Sequence, residues 1–173
     1  MNNNKIQIPN NFINIVFIFL YLSLLLGFYY NENFAGGAIQ DFNIHIHLLN
    51  SLSENFIHSF LNYKDFQTDH SPFFFSFLSF INLPFEETKF LFNKTDSYHL
   101  RTLIEYGNAY TGLRLLYLHI CLLIPVIFYQ CLIIKYKDCN KNILIILSCL
   151  ILLSPYFRSY AIWAGETNLA LLF

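Results

Sequence analysis

The sequence predicts an all-α integral membrane protein with about three spanning helices, an amphipathic surface helix and a short interfacial or re-entrant helix. Three observations carry this prediction. Of the 173 residues, 55% are hydrophobic and only 12% are charged, whereas a soluble domain carries roughly 25% charge. The apolar residues lie in long runs rather than at helix or strand spacing, so no periodic face is needed to bury them. Several runs also approach the roughly 20 residues that cross a hydrocarbon core about 30 Å thick.

The elements follow in chain order within one membrane domain, 1–173. The first span is 12–30, an apolar run longer than the roughly 7–15 residues of a signal-peptide core. The small residues Ala35-Gly36-Gly37-Ala38 lie well beyond that run, so it reads as an uncleaved signal anchor. An outer region, 31–112, holds nine of the eleven acidic residues. Within it, Ile39, Phe42, Ile46, Leu49, Leu52, Phe56 and Phe60 recur every three or four positions, which predicts an amphipathic helix over 38–61 lying along the bilayer surface. The phenylalanine-rich stretch 72–85 is too short to cross and predicts a dipping helix. The second span is 113–134, interrupted only by Arg114, and the third is 143–157.

Lysine placement sets the expected topology. Lys135, Lys137 and Lys141 crowd the link between the last two spans, which places that link on the cytoplasmic side. The region 31–112 and the stretch from Ser154 then share the outer face, and with them Asp41, His70, Arg158 and Glu166. If 72–85 crossed instead, the lysine-rich link would move outside, against the charge rule, and Asp41 would be split from Glu166. The chain stops in the apolar stretch 168–173, so the expectation is a fragment of a longer polytopic protein.

Other classes are set aside on composition. The ten Lys and Arg are scattered and net charge is −1, so no basic stripe offers itself to nucleic acid. Cys121, Cys131, Cys139 and Cys149 lack the paired spacing of a zinc site or disulfide framework and read as small hydrophobes. Asp41 and His45, at i and i+4 on one helix, are two ligands where a metal site needs more. No metal is therefore assigned, and a divalent cofactor stays open without being indicated.

Four residues carry the candidate chemistry. Asp41 opens the surface helix, where a carboxylate either acts as a base toward an interfacial substrate or simply complements the helix dipole. His70, in Thr68-Asp69-His70-Ser71-Pro72, either meets a phosphate or belongs to a polar helix start with proline at its first position. Arg158 offers a two-pronged fork to a phosphate or anchors the span mouth together with Trp163. Glu166 is the acid that closes the same segment.

Taken in order, these motifs resemble the N-terminal part of the GT-C superfamily of membrane glycosyltransferases, which includes lipid A aminoarabinose transferases and protein mannosyltransferases. Asp41 matches the acid of the family's first outer loop. Asp69-His70-Ser71-Pro72-Phe73 resembles a His-Pro-Pro-Leu stretch with serine replacing the first proline. Gly112-Leu113-Arg114-Leu115 looks like the Ala-Arg-Leu-Pro start of the next span without its proline. Ser154-Pro155 through Glu166 resembles a Ser-Pro segment ending in an acid. The resemblance implies a sugar transferred from a polyprenyl-phosphate donor to an acceptor at the outer face of the cell inner (plasma) membrane. In it Asp41 is the catalytic base, and His70, Arg158 and Glu166 bind substrate. A transporter or flippase fragment, or a non-catalytic membrane protein, is the alternative expectation.

Overall fold

The computed structural model of the chain describes residues 9–34, 37–63, 71–85 and 108–172, which are helical and contain no strand. The helices are α1 (Asn10–Tyr29), α2 (Ala38–Glu54), α3 (Phe56–Leu61), α4 (Pro72–Asn82), α5 (Thr111–Cys121), α6 (Leu123–Lys135), α7 (Lys141–Cys149), α8 (Pro155–Ile162) and α9 (Glu166–Ala170). A 3-10 turn, Leu150–Leu153, extends α7.

Among the described residues, two helices are long and apolar enough to cross a membrane: Asn11–Tyr29, and Thr111–Lys135, in which α5 and α6 run on through Leu122. The local irregularity at Leu122 has its cause in Pro125, which lacks an N–H to donate and whose ring crowds the carbonyl four residues earlier. On α1, Phe12, Ile15, Ile18, Phe19, Leu22 and Leu26 each keep half or more of their surface exposed. An apolar surface that extensive is tolerated in lipid and not in water. The run expected as a third span belongs to a bent pair of helices. Lys141–Leu153 and Pro155–Ile162 meet at 66°, because Ser154 is extended (ψ 121°) and Pro155 starts a new helix rather than continuing the old one.

The two long helices run in opposite directions. Asn31, just past α1, meets Arg114 in the first turn of α5 (3.0 Å). Further along both helices, the Tyr21 hydroxyl meets His119 Nε2 (2.9 Å). His119 Nδ1 faces the Leu115 carbonyl (2.7 Å), so Nδ1 carries the proton and Nε2 accepts from Tyr21. Both ring nitrogens are thereby satisfied on an exposed flank where lipid provides no partner. From the far end of α6 the chain turns through residues 136–140 and α7 returns against α6 and α1.

α2 lies across the end of the bundle opposite that turn. Along its length it meets three other helices: Asp41 is bonded to Tyr160 of α8, Phe42 and Asn50 contact Tyr110 at the start of α5, and the helix packs against α4. The predicted amphipathic helix thus exists, but its stripe is used differently. Ile39, Phe42, Ile46, Leu49 and Leu52 are buried in protein, and the helix breaks at Asn55, whose side chain caps α3 by accepting from the His58 N–H (3.2 Å). The apolar residues Phe56, Ile57, Phe60 and Leu61 of α3 remain outward. α4 has 11 residues, about 16 Å at 1.5 Å per residue, which is half a hydrocarbon core.

This packing separates two substitutions that the sequence pattern treats alike. Ile46→Ala is expected to destabilise by about 2–4 kcal/mol in denaturant titration in micelles, as buried isoleucine truncations do, and Phe56→Ala by under about 0.5 kcal/mol. Equal, small losses at both positions would show that α2 faces lipid along its whole stripe.

Candidate functional site

The site is built on the way α1 ends. Asn31 adopts φ 54°, a left-handed conformation that asparagine tolerates better than most residues. Its N–H donates to the Phe28 carbonyl (3.1 Å) and the Glu32 N–H to the Gly27 carbonyl (2.8 Å), the paired bonds of a Schellman turn. The chain folds back over the helix end and presents Asn31 and Glu32 to the later helices.

Each of these two residues receives an arginine. Arg158 Nε and Nη2 donate to Glu32 Oε1 and Oε2, both at 2.6 Å, in a bidentate pair whose side chains are 10% and 7% exposed. Nη2 also donates to the Ser23 carbonyl (2.9 Å), and Nη1 to Ser23 Oγ (3.3 Å) and the Leu152 carbonyl (3.4 Å). Leu152 is one of the residues whose carbonyl is released where the chain turns at Ser154-Pro155. All five guanidinium N–H groups are thus committed to protein acceptors. Gly27 makes room for the pair, since a Cβ there would overlap the Glu32 carboxylate and lie 2.8 Å from Arg158 Nη2.

Arg114, fully buried in α5, donates from Nε to the Ile162 carbonyl and from Nη2 to Asn31 Oδ1, each at 3.0 Å. Its guanidinium lies 3.7 Å from the centre of the Trp163 ring and 5.0 Å from that of Phe28, within cation–π range. Trp163 Nε1 completes the loop by donating to the Glu32 carbonyl (3.0 Å).

Asp41 lies on the other side of α8. Its Oδ2 accepts from the Tyr160 hydroxyl (3.0 Å), and Tyr160 stacks on Tyr156 with ring centres 4.4 Å apart. α8 closes with a second Schellman turn: Ala164 sits at φ 48° and the Gly165 N–H donates to the Tyr160 carbonyl (2.7 Å). Gly165 is required beside that ring, because a Cβ would run into it. The Gly165 carbonyl accepts from Tyr117 of α5 (2.6 Å). Next in the chain, Glu166 Oε1 accepts from the Ser71 N–H (3.1 Å) at the start of α4, and Asn168 ties α9 to the Phe157 carbonyl (2.8 Å).

Asp41, Arg158 and Glu166 therefore gather at one end of the bundle, away from the 136–140 turn. His70 lies outside the described residues. Sequence reasoning missed Glu32 and Tyr160 as their partners. A signal for Glu32 was present: two arginines at the mouths of apolar runs need acceptors, and Glu32 is the acid that follows the first run most closely. Two cavities open here. One of about 530 Å³ is lined by Ser23, Leu26, Tyr30, Glu32, Asn33 and Arg158, among others. A smaller one of about 170 Å³ lies between Ser71, Phe73, Glu166 and Ala170. Among the described residues no three His, Cys, Asp or Glu come together as a metal site.

No family model, curated protein or solved structure matches the chain.

Gly27→Ala tests the Arg158–Glu32 pair. In an exposed helix this change stabilises by about 1 kcal/mol. Here the new methyl displaces a buried carboxylate from its partner, so a net loss of roughly 3 kcal/mol is expected, read by denaturant titration in micelles. A gain in stability would show that the pair does not hold the fold.

Proposed function

We propose that the chain is a multi-pass protein of the cell inner (plasma) membrane and that its polar end serves glycosyl transfer. A sugar passes from a polyprenyl-phosphate donor to an acceptor hydroxyl at the outer face. The observation that carries this reading is the condition of Asp41. It is partly exposed, and among the described residues its carboxylate has a single hydrogen-bond partner, the neutral Tyr160 hydroxyl. A carboxylate held by a single neutral donor is oriented while keeping lone pairs for a substrate proton, unlike Glu32, which is clamped by a guanidinium. The motif resemblance supports the same choice of residue.

In this mechanism the acceptor oxygen attacks the anomeric carbon as Asp41 takes its proton. The bond from that carbon to the phosphate oxygen breaks, and polyprenyl phosphate leaves with the electron pair. Tyr160 positions Asp41. Arg158, with its five donors committed, reaches a phosphate only by exchanging an existing partner, so its part here is to hold Glu32 and the start of the outer region in place. Glu166 fixes the start of α4, and His70 remains the candidate for contact with the leaving phosphate.

Asp41→Asn in nanodisc-reconstituted protein is expected to lower transfer from a polyprenyl-phosphate hexose by about 10²–10⁴-fold with thermal stability unchanged. Tyr160→Phe should lower it roughly tenfold, the cost of one hydrogen bond to a charged group. Transfer that persists near wild type in Asp41→Asn removes the base from this scheme. Membrane orientation is checked separately in a cysteine-free background: His45→Cys and Asp138→Cys should react with impermeant reagents from opposite sides. Reaction from the same side would overturn the topology.

A further inference from the structure

The end of the bundle opposite Asp41 carries charge for which glycosyl transfer has no use. Among the described residues the Lys and Arg side chains are those of Arg114, Arg158, Lys135, Lys137 and Lys141. Both arginines are buried at the other end and bonded to protein acceptors. The three lysines are exposed, and all lie in or beside the turn that joins α6 to α7. There the Tyr136 N–H donates to the Leu132 carbonyl (2.8 Å) and the Cys139 N–H to the Tyr136 carbonyl (3.2 Å), which closes α6 and reverses the chain. Lys135 Nζ lies 5.5 Å from the centre of the Tyr136 ring. Among the described residues no carboxylate forms an ion pair with any of the three lysines. With Asp138 as its only acid, the stretch 135–141 keeps an excess of positive charge.

Two features indicate what this charge faces. Ile134, next to Lys135, is 71% exposed, and Ile143, two residues beyond Lys141, is 45% exposed. The ammonium groups therefore border the apolar flank that lipid covers, where a lysine stem lies along hydrocarbon and its head reaches the polar layer. Lys141 is also the first residue of α7, whose first turn holds no acid. A cation at that end is opposed by the helix dipole and by the other lysines, and an adjacent phosphate relieves both. A soluble acidic partner supplies the negative charge but not the hydrocarbon; an anionic phospholipid supplies the two together. We infer that the α6–α7 turn is a docking surface for anionic phospholipid, with headgroup phosphates on Lys135, Lys137 and Lys141, the Tyr136 ring at headgroup level and acyl chains along Ile134 and Ile143. Lysine bias decides on which side of the membrane a loop stays. It does not by itself give the folded turn a preference among lipids, and that preference is measurable.

The full chain is placed in phosphatidylcholine nanodiscs with a trace of spin-labelled lipid, and the motionally restricted fraction is read by electron paramagnetic resonance. At low salt, spin-labelled phosphatidylglycerol should be restricted in preference to spin-labelled phosphatidylcholine by roughly tenfold, given the contribution of each lysine near an anionic headgroup. In about 1 M salt, where the screening length is about 3 Å, the preference should vanish. Lys137→Gln/Lys141→Gln is expected to lower it roughly fivefold with thermal stability in pure phosphatidylcholine unchanged, and Lys137→Arg/Lys141→Arg to retain it. Equal restriction of the two lipids, a preference that survives in the glutamine variant, or one lost equally in the arginine variant would overturn the assignment. So would competition by inorganic phosphate stronger than that by chloride at equal ionic strength, because the turn would then hold a free anion rather than a lipid. None of these outcomes bears on Asp41 or on transfer.

Discussion

The fold depends on one short stretch of backbone, Asn31-Glu32, and on the two arginines that converge on it. Arg114 reaches Asn31 from α5, Arg158 reaches Glu32 from α8, and Trp163 closes the circuit by stacking on one arginine and bonding to the carbonyl beside the other's partner. In a lipid setting this arrangement matters more than it would in water. Apolar surface gains little by moving from lipid tails to another helix, so association rests on close packing and on polar ties. An arginine near the hydrocarbon must also find all its acceptors inside the protein. The two requirements have the same solution here, because the bonds that satisfy the arginines are the bonds that join α1, α5 and α8.

A buried ion pair is weak evidence of net stability, since an apolar replacement of the same shape often does as well. What the pair does provide is position. The fork of Arg158 fixes the Glu32 carboxylate in two directions at once. The Schellman turn that delivers Glu32 folds the chain back over the end of α1, and the bond to Tyr160 of α8 holds the end of α2 that carries Asp41. The second such turn, at Ala164, acts in the same way on Gly165 and Glu166. Each site residue is thus placed by a helix end rather than by a helix face, which explains why they collect at one end of the bundle while the flanks stay apolar.

The bend at Ser154-Pro155 links the two halves of this construction. A straight continuation of α7 would carry Arg158 beyond reach of Glu32. Turning by 66° brings α8 back over the end of α1, and Arg158 then covers the Leu152 carbonyl that the turn uncovers. α2 roofs this end, and its buried stripe shows that an amphipathic pattern fixes the existence of an apolar face without saying whether lipid or protein meets it.

The sequence by itself determined the all-helical class and the apolar runs, because run length and missing charge are properties of a segment alone and need no partner. It also marked local starts such as Ser71-Pro72 and Ser154-Pro155, where proline acts within one turn. Periodicity located the stripe of α2, though not the break at Asn55. Only the tertiary structure decided that Glu32 would take every charged donor bond it accepts from Arg158, that Asp41 would be left with a tyrosine, and that Glu166 would hold Ser71. Those pairings join residues about a hundred positions apart, and composition near either partner carries no information about which acid meets which base. That choice was made by two helix ends folding back and by one bend, which set the distances on which hydrogen bonds depend.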